Sequence, residues 1–136
     1  MIHAFCNKTG SGKTKDLINL ANERVDNTKG DIVYIDYKMK SLFQLNRKIR
    51  YIATEEFNLK TYKDFYGFLC GILSENYDVD NIFIDGIFNI VGETSEDAAH
   101  LFYSMEVLAQ RYNIEFYVNV NSENEYLPDF VKKYVA

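Results

Sequence analysis

The sequence predicts an α/β fold, a three-layer αβα sandwich around a mostly parallel five-stranded sheet. Strand-like apolar runs alternate with amphipathic helical stretches along the whole chain, which is the pattern of a parallel sheet with helices on both faces. No repeat, linker or low-complexity segment interrupts this alternation. The chain has 136 residues, and 47% of them are hydrophobic, so residues 1–136 fit a single domain with one well-filled core.

The first half of the chain predicts three strands and two helices. Residues Leu17, Ile18, Ala21 and Val25 recur at helical spacing, and Asn27–Gly30 forms a turn signal after them. The predicted elements are, in order, strand Ile2–Cys6, helix Lys13–Val25, strand Asp31–Asp36, a short helix over Ser41–Asn46, and a brief strand Ile49–Ala53.

The second half continues the alternation. The predicted elements are helix Leu59–Glu75, strand Asn81–Asp85, helix Ser95–Tyr112 with Thr94 or Ser95 as N-cap, strand Glu115–Val120, and a terminal helix from Pro128 to about Tyr134. Leu101, Met105, Leu108 and Tyr112 are expected to face inward. Gly67 and Gly71 each weaken the helix that contains them, so we expect close packing against a neighbouring element at these positions.

The segment between the first strand and the first helix is the most informative one. It reads Asn7-Lys8-Thr9-Gly10-Ser11-Gly12-Lys13-Thr14 and matches the phosphate-binding pattern G-x-x-x-x-G-K-[ST] except at Asn7, a residue that tolerates positive φ. A Gly-rich turn before a helix directs backbone N–H groups and the helix N-terminus at one phosphate. Lys13 is expected to reach the β- and γ-phosphates, and the Thr14 hydroxyl is expected to ligate Mg²⁺.

A nucleoside triphosphatase site also needs an acid beside the Mg²⁺, at the carboxyl end of a neighbouring strand. Asp85 ends the apolar run Ile82–Ile84 and is the predicted metal residue together with Thr14. Asp36 ends its strand in the same way and is the competing candidate.

These motifs resemble the P-loop NTPases of the additional-strand, RecA-like branch. The loop is similar to the G-P-T-G-S-G-K-T loops of secretion and twitching-motility ATPases and of helicases, and the chain also resembles short stand-alone proteins that carry the twitching-motility label. Asp31–Lys38 resembles the F-I-D-A-E strand of RecA-type proteins, and Ile82–Ile90 resembles their Walker B strand. The resemblance implies that the last strand lies between the first strand and the Asp85 strand. It also implies that a polar residue among Asn119, Asn121 and Ser122 senses the γ-phosphate.

The departures from this family concern catalysis. The RecA-type catalytic Glu would fall near Lys38, and the Glu that other members place after the Walker B Asp is Gly86 here. Asp36 is the first substitute as catalytic base, beside Lys13 as the phosphate-binding residue, and the other acids that follow predicted strands are Glu55, Glu56 and Glu93. The candidate arginine fingers are Arg47, Arg50 and Arg111.

Three functions are compatible with these residues. The first is Mg²⁺-dependent binding of ATP or another nucleoside triphosphate, with slow or partner-dependent hydrolysis. The second is a non-enzymatic nucleotide sensor or assembly subunit, and the third is a small nucleoside kinase that resembles thymidine kinases. A homo-oligomer or a protein partner is expected for the first two.

Charge and composition bound the remaining choices. The net charge of −5 gives no indication of a nucleic-acid partner, although Lys38, Lys40, Arg47, Lys48 and Arg50 form a basic stretch that is either solvated or faces a phosphate or partner. No apolar run approaches membrane-spanning length, so no membrane partner is expected. Cys6 and Cys70 lie in apolar segments, as reduced thiols of a cytoplasmic protein do.

Overall fold

The protein is described by a computed structural model, which covers residues 1–7, 13–91, 98–121 and 129–135. Five strands form one sheet: β1 (Ile2–Asn7), β2 (Asp31–Asp36), β3 (Arg50–Ala53), β4 (Val79–Ile84) and β5 (Glu115–Asn121). Five helices accompany them: α1 (Lys13–Val25), α2 (Tyr62–Glu75), α3 (Ile87–Val91), α4 (Ala99–Tyr112) and α5 (Asp129–Lys132). Short 3₁₀ turns lie at Leu42–Gln44 and Glu55–Phe57.

The sheet is parallel throughout, in the order β1-β5-β4-β2-β3. The prediction of an α/β fold with a parallel five-stranded sheet is therefore confirmed. The predicted position of the last strand, between β1 and the strand that precedes Asp85, is also confirmed. An isolated parallel bridge between Ala4 and Val135 adds a contact on the outer side of β1.

Apolar side chains cover both faces of the sheet, as a three-layer arrangement requires. One face packs on α1 through a smaller cluster that includes Leu17, Ile18 and Ala21. The other face carries the larger cluster, to which α2, α3, α4 and α5 contribute. Because the strands are buried on both faces, β2 and β4 contain the continuous apolar runs Ile32–Ile35 and Ile82–Ile84.

Several predicted boundaries and contacts need correction. Helix α2 begins at Tyr62 and not at Leu59, because Thr61 forms a capping box with Asp64. Helix α3 was not predicted. The predicted caps Thr94 and Ser95 lie outside the described residues, as does Pro128.

Two predictions about helix surfaces are wrong. A Cβ at Gly67 or Gly71 would meet no atom within 4 Å, so neither glycine is explained by close packing. Tyr112 is 47% exposed in the last turn of α4, whereas Leu101, Met105 and Leu108 are buried as expected.

Candidate functional site

The site is built where the carboxyl ends of β2, β4 and β5 meet the first turn of α1. Side chains alternate between the two faces of each strand, so residues two apart point to the same side. Asp36, Asp85 and Asn119 each follow by two positions a ring that contributes to the α1-facing cluster. Parallel register therefore aligns these three polar residues with one another near the carboxyl ends of the strands.

Asp85 is the centre of this arrangement, and only 7% of it is exposed. Its Oδ1 accepts hydrogen bonds from Thr14 Oγ1 at 3.3 Å and from Asn119 Nδ2 at 3.1 Å. Its Oδ2 accepts from the Tyr34 hydroxyl at 2.9 Å. The fold thus joins the two predicted metal residues, Thr14 and Asp85, across 71 positions of the sequence.

Asn119 connects the last strand to the same carboxylate. It is 2% exposed, so its amide would be costly to bury without the bond to Asp85. Of the three residues proposed as a γ-phosphate sensor, Asn119 is the one with a described side chain. Ser122 and the side chain of Asn121 lie outside the described residues.

Asp36 is buried beside this cluster and is 3% exposed. Its Oδ1 accepts from the backbone N–H of Tyr37 at 2.7 Å, and its Oδ2 accepts from the Tyr51 hydroxyl at 2.9 Å. Burial raises the pKa of Asp36, the charge of Asp85 raises it further, and the two hydrogen bonds oppose that rise. Asp36 is thus a shielded carboxyl whose two oxygens already accept hydrogen bonds.

The charges of Asp36 and Asp85 also affect the pKa values of Tyr34 and Tyr51. Burial first, and Asp85 second, raise the pKa of Tyr34, so this phenol stays protonated and acts as a donor. Burial and the charge of Asp36 raise the pKa of Tyr51 to about 12. Each carboxylate is therefore held by one neutral phenol.

A ladder of stacked rings, not predicted from the sequence, crosses the sheet directly behind the site. Its centroid distances are 4.9 Å for His3–Tyr117, 4.7 Å for Tyr117–Phe83, 6.1 Å for Phe83–Tyr34 and 5.5 Å for Tyr34–Tyr51. Each stacked pair is also a register pair of neighbouring strands. Because such cross-strand pairs stabilise a sheet and define its register, the ladder holds the polar side chains in fixed relative positions.

A signal for this ladder is present in the sequence. An aromatic, an aliphatic and a polar residue follow one another at or near the carboxyl ends of three strands, namely Tyr34-Ile35-Asp36, Phe83-Ile84-Asp85 and Tyr117-Val118-Asn119. This shared spacing is sufficient to group Asp36, Asp85 and Asn119 at one edge of a parallel sheet.

The predicted phosphate loop falls mostly outside the described residues. Lys8, Thr9, Gly10, Ser11 and Gly12 are not described, nor are the side chains of Asn7 and Lys13. Their roles remain predictions. Thr14, the last residue of the motif, is described and bonds to Asp85.

The side chains around Asp85 show whether a divalent cation would fit the site. Within the described part of the chain, no group of three or more His, Cys, Asp or Glu residues could hold a metal ion. Mg²⁺ is commonly bound by one or two carboxylates, with water and phosphate oxygens completing its shell. The carboxylate of Asp85 and the hydroxyl of Thr14 are oxygen ligands of the kind that Mg²⁺ binds together with water and phosphate oxygens.

The positions expected to supply a catalytic Glu or an arginine finger lie away from Asp85 or have a backbone that does not suit a Glu. Gly86 has φ of 69°, a left-handed conformation that strains side chains other than glycine, which gives a physical reason for the absence of a Glu there. Lys38 is exposed in the segment after β2. Arg50 begins β3, and Arg111 lies just before β5, so both are at the edge of the sheet opposite Asp85.

A cavity of about 390 Å³ lies beyond the carboxyl ends of β2 and β3, next to α3. Its polar lining includes Tyr37, Glu55, Lys60 and Asn89, and its apolar lining includes Ile90. Glu55 is therefore at a cavity wall near the residue that follows Asp36. Glu56 is exposed and Glu93 lies outside the described residues.

Comparison with models of known protein families and with curated protein sequences gives no match for this chain. The fold and the cluster around Asp85 define an α/β protein with polar groups gathered at one edge of a parallel sheet. Among the described residues, no helix combines the length and the apolar character needed to cross a bilayer.

Proposed function

We propose that this chain binds a nucleoside triphosphate, ATP in the first instance, together with Mg²⁺. The observation that carries the proposal is the hydrogen bond between Thr14 and Asp85, with Asn119 on the same carboxylate oxygen. In an α/β sheet, ligands bind in the crevice outside the carboxyl ends of the strands, and this cluster lies there. It adjoins a segment with a phosphate-binding sequence and the first turn of α1.

In this proposal each group has one role. Backbone N–H groups of Asn7–Thr14 bind the phosphates, and Lys13 neutralises their charge. Thr14 and Asp85 would hold Mg²⁺, which supplies charge neutralisation between the β- and γ-phosphates. Asn119 and Tyr34 orient the Asp85 carboxylate, since each donates to a different oxygen.

Hydrolysis by the isolated chain should be slow. Asp36 is the best-placed carboxylate for activating water, but both of its oxygens accept hydrogen bonds and its raised pKa reflects burial. Because only 3% of Asp36 is exposed, an attacking water has little access to its carboxylate. We therefore expect turnover far below the usual range of about 1–1000 per second, unless a protein partner or a second copy supplies a further group.

This proposal places the protein in the cytoplasm, where nucleoside triphosphates are abundant, and it does not call for nucleic acid. The sensor hypothesis differs from it in one respect, because a sensor binds without any turnover. Phosphate release measured on the same sample as the binding titration separates the two.

The kinase hypothesis keeps one observation in its favour. The cavity beside Tyr37 and Glu55 has the size of a small-molecule site and lies beyond the carboxyl ends of β2 and β3. Transfer of radiolabelled phosphate from ATP to a panel of nucleosides tests this function. Absence of any labelled product, with ATP binding intact, rules against it.

The test of the main proposal is a nucleotide titration with and without Mg²⁺. Lys13→Ala should weaken ATP binding at least tenfold, because a hydrogen bond to a charged group contributes roughly 1.5–3 kcal/mol. Lys15→Ala, two residues along and exposed on α1, is the matched control and should bind as the wild type does.

Asp85→Asn gives an independent arm of the same titration. It should remove most of the Mg²⁺ dependence while leaving weak Mg²⁺-free binding. A folded Lys13→Ala protein with unchanged ATP affinity would contradict the proposal.

A further inference from the structure

The segment between β2 and β3 has a surface that the nucleotide proposal does not use. We call residues 37–50 the β2–β3 segment. It contains five basic residues and no acidic ones, whereas the remaining chain holds ten basic residues and all twenty acidic residues. The basic side chains are Lys38, Lys40, Arg47, Lys48 and Arg50, and all five residues are exposed.

Large apolar side chains project from the same segment. Phe43 is 99% exposed, Met39 is 51% exposed and Leu42 is 44% exposed. Single exposed apolar residues are ordinary on protein surfaces, but here three lie within five positions of the chain, next to Lys38 and Lys40. Within the described part of the chain, the five basic side chains form no ion pair.

The segment is anchored, so these side chains are held outward. Leu45 and Ile49 are buried in the cluster on α1. Asn22 of α1 donates to the carbonyl of Gln44 at 2.9 Å and accepts from the backbone N–H of Asn46 at 2.8 Å. With residues 44–46 tied to α1, the 3₁₀ turn directs Leu42 and Phe43 into solvent.

The chemistry of this surface favours an anionic bilayer over other partners. Aliphatic and phenyl side chains flanked by Lys and Arg partition into the boundary between headgroups and acyl chains, while the cations contact anionic lipids. Single-stranded nucleic acid calls for several stacking aromatic rings, whereas this segment exposes two, Phe43 and the 37%-exposed Tyr37, and Met39 and Leu42 cannot stack. Protein interfaces are depleted in Lys, which supplies three of the five cations.

We propose that the β2–β3 segment docks this protein peripherally on an anionic membrane surface. Phe43, Leu42 and Met39 enter the headgroup boundary, and Lys38 and Lys40, the cations next to them in the chain, contact acidic lipid headgroups. The contact needs no spanning helix, and none is found among the described residues. The proposal is independent of nucleotide binding.

The chain has no tryptophan, which allows a direct probe. Phe43→Trp places a single tryptophan at the apolar tip, and its emission should shift to the blue on mixing with phosphatidylcholine vesicles that contain phosphatidylserine. Vesicles of phosphatidylcholine alone should give little shift, and added salt should reverse it. Tyr77→Trp is the matched control, because Tyr77 is 87% exposed beside the acidic residues Glu75 and Asp78 and should show no shift.

Vesicle co-sedimentation of variants that lack basic residues measures the electrostatic contribution to membrane binding. Lys38→Gln with Lys40→Gln should weaken binding about 25-fold, since each basic residue near an anionic surface is worth about fivefold in affinity. Lys63→Gln with Lys132→Gln removes the same charge from exposed sites in α2 and α5 and should have little effect. Phe43→Ser should weaken binding at least tenfold.

Several outcomes would overturn the proposal. These are no co-sedimentation with anionic vesicles, equal binding to neutral vesicles, equal loss in the two charge-removal variants, or an equal shift from Tyr77→Trp. A blue shift of Phe43→Trp with a single-stranded oligonucleotide, and none with vesicles, would assign the surface to nucleic acid instead.

Discussion

Replacing Asp36 by asparagine should stabilise the nucleotide-free protein at neutral pH. Asp36 is 3% exposed and carries a raised pKa, caused first by burial and second by the charge of Asp85. The folded protein therefore binds a proton at pH values above 3.8 where the unfolded chain has lost it. The stability that this proton contributes is present at low pH and is lost as the pH rises through the folded-state pKa.

Asparagine fits the hydrogen-bonding positions without that penalty. Its Oδ1 can accept from the N–H of Tyr37, as Asp36 does. Its Nδ2 can donate to the Tyr51 hydroxyl, which is then free to donate to the carbonyl of Lys38, 3.1 Å away. The variant keeps both contacts and loses the buried charge and its repulsion with Asp85.

The size of the effect follows from this exchange. Removing one imperfectly compensated buried charge while keeping its hydrogen bonds should gain about 1 kcal/mol at neutral pH. With a urea dependence of about 1–3 kcal/mol per molar, the unfolding midpoint should rise by roughly 0.5 M. At acid pH, below the ordinary pKa of an aspartate, the wild type is protonated at Asp36 and the gap should close.

Urea unfolding followed by circular dichroism, without nucleotide or Mg²⁺ and over a series of pH values, measures this gap. Asp78→Asn is the matched control, because Asp78 is exposed and its carboxylate accepts no described hydrogen bond. An Asp36→Asn protein that is less stable at neutral pH would refute the reasoning. So would a gap that does not change with pH.

Four further substitutions test one hydrogen bond of the site and the stability of helix α2. Tyr34→Phe removes the donor to Asp85 and should lower stability by roughly 1.5–3 kcal/mol in a thermal or urea melt, and an unchanged midpoint would show that this bond contributes nothing. Gly67→Ala and Gly71→Ala should each raise stability by roughly 0.5–1 kcal/mol, because the added methyl meets no atom, and a loss would reveal an unseen neighbour. Thr61→Ala should lower the free energy of unfolding by about 1 kcal/mol in the same melt through loss of the α2 cap, and an unchanged midpoint would contradict that role.

Much of this architecture could be predicted because it depends on local pattern. Apolar runs of strand length, alternating with stretches of helical periodicity, were enough for the parallel sheet and its five strands. Asp85 could be paired with Thr14 because residues at the carboxyl ends of parallel strands share one edge of the sheet. Helix starts were less accurate, since the capping box at Thr61 and the short helix α3 depend on a few residues each.

The roles of three glycines could be assigned only from the tertiary structure. The helix-weakening effect of glycine suggested a packing role for Gly67 and Gly71, yet both lie on the open side of α2, where an added Cβ would meet no atom within 4 Å. The glycine at position 86 looked like a missing catalytic residue. Its left-handed backbone, which the turn after β4 imposes, explains it as a geometric requirement.

The sequence by itself predicted the fold class and the strand-end acids Asp36 and Asp85. The family resemblance added the strand order and named Asn119 as one of three candidate polar residues of the last strand. Only the tertiary structure decided how these residues share hydrogen bonds, which phenol holds which carboxylate, and that five rings stack across the sheet. The physical reason is the distance along the chain over which each interaction acts. Periodicity and turn chemistry act over a few residues, whereas the bonds of Asp85 join positions 34, 71 and 51 residues apart, and their geometry exists only once the sheet is assembled.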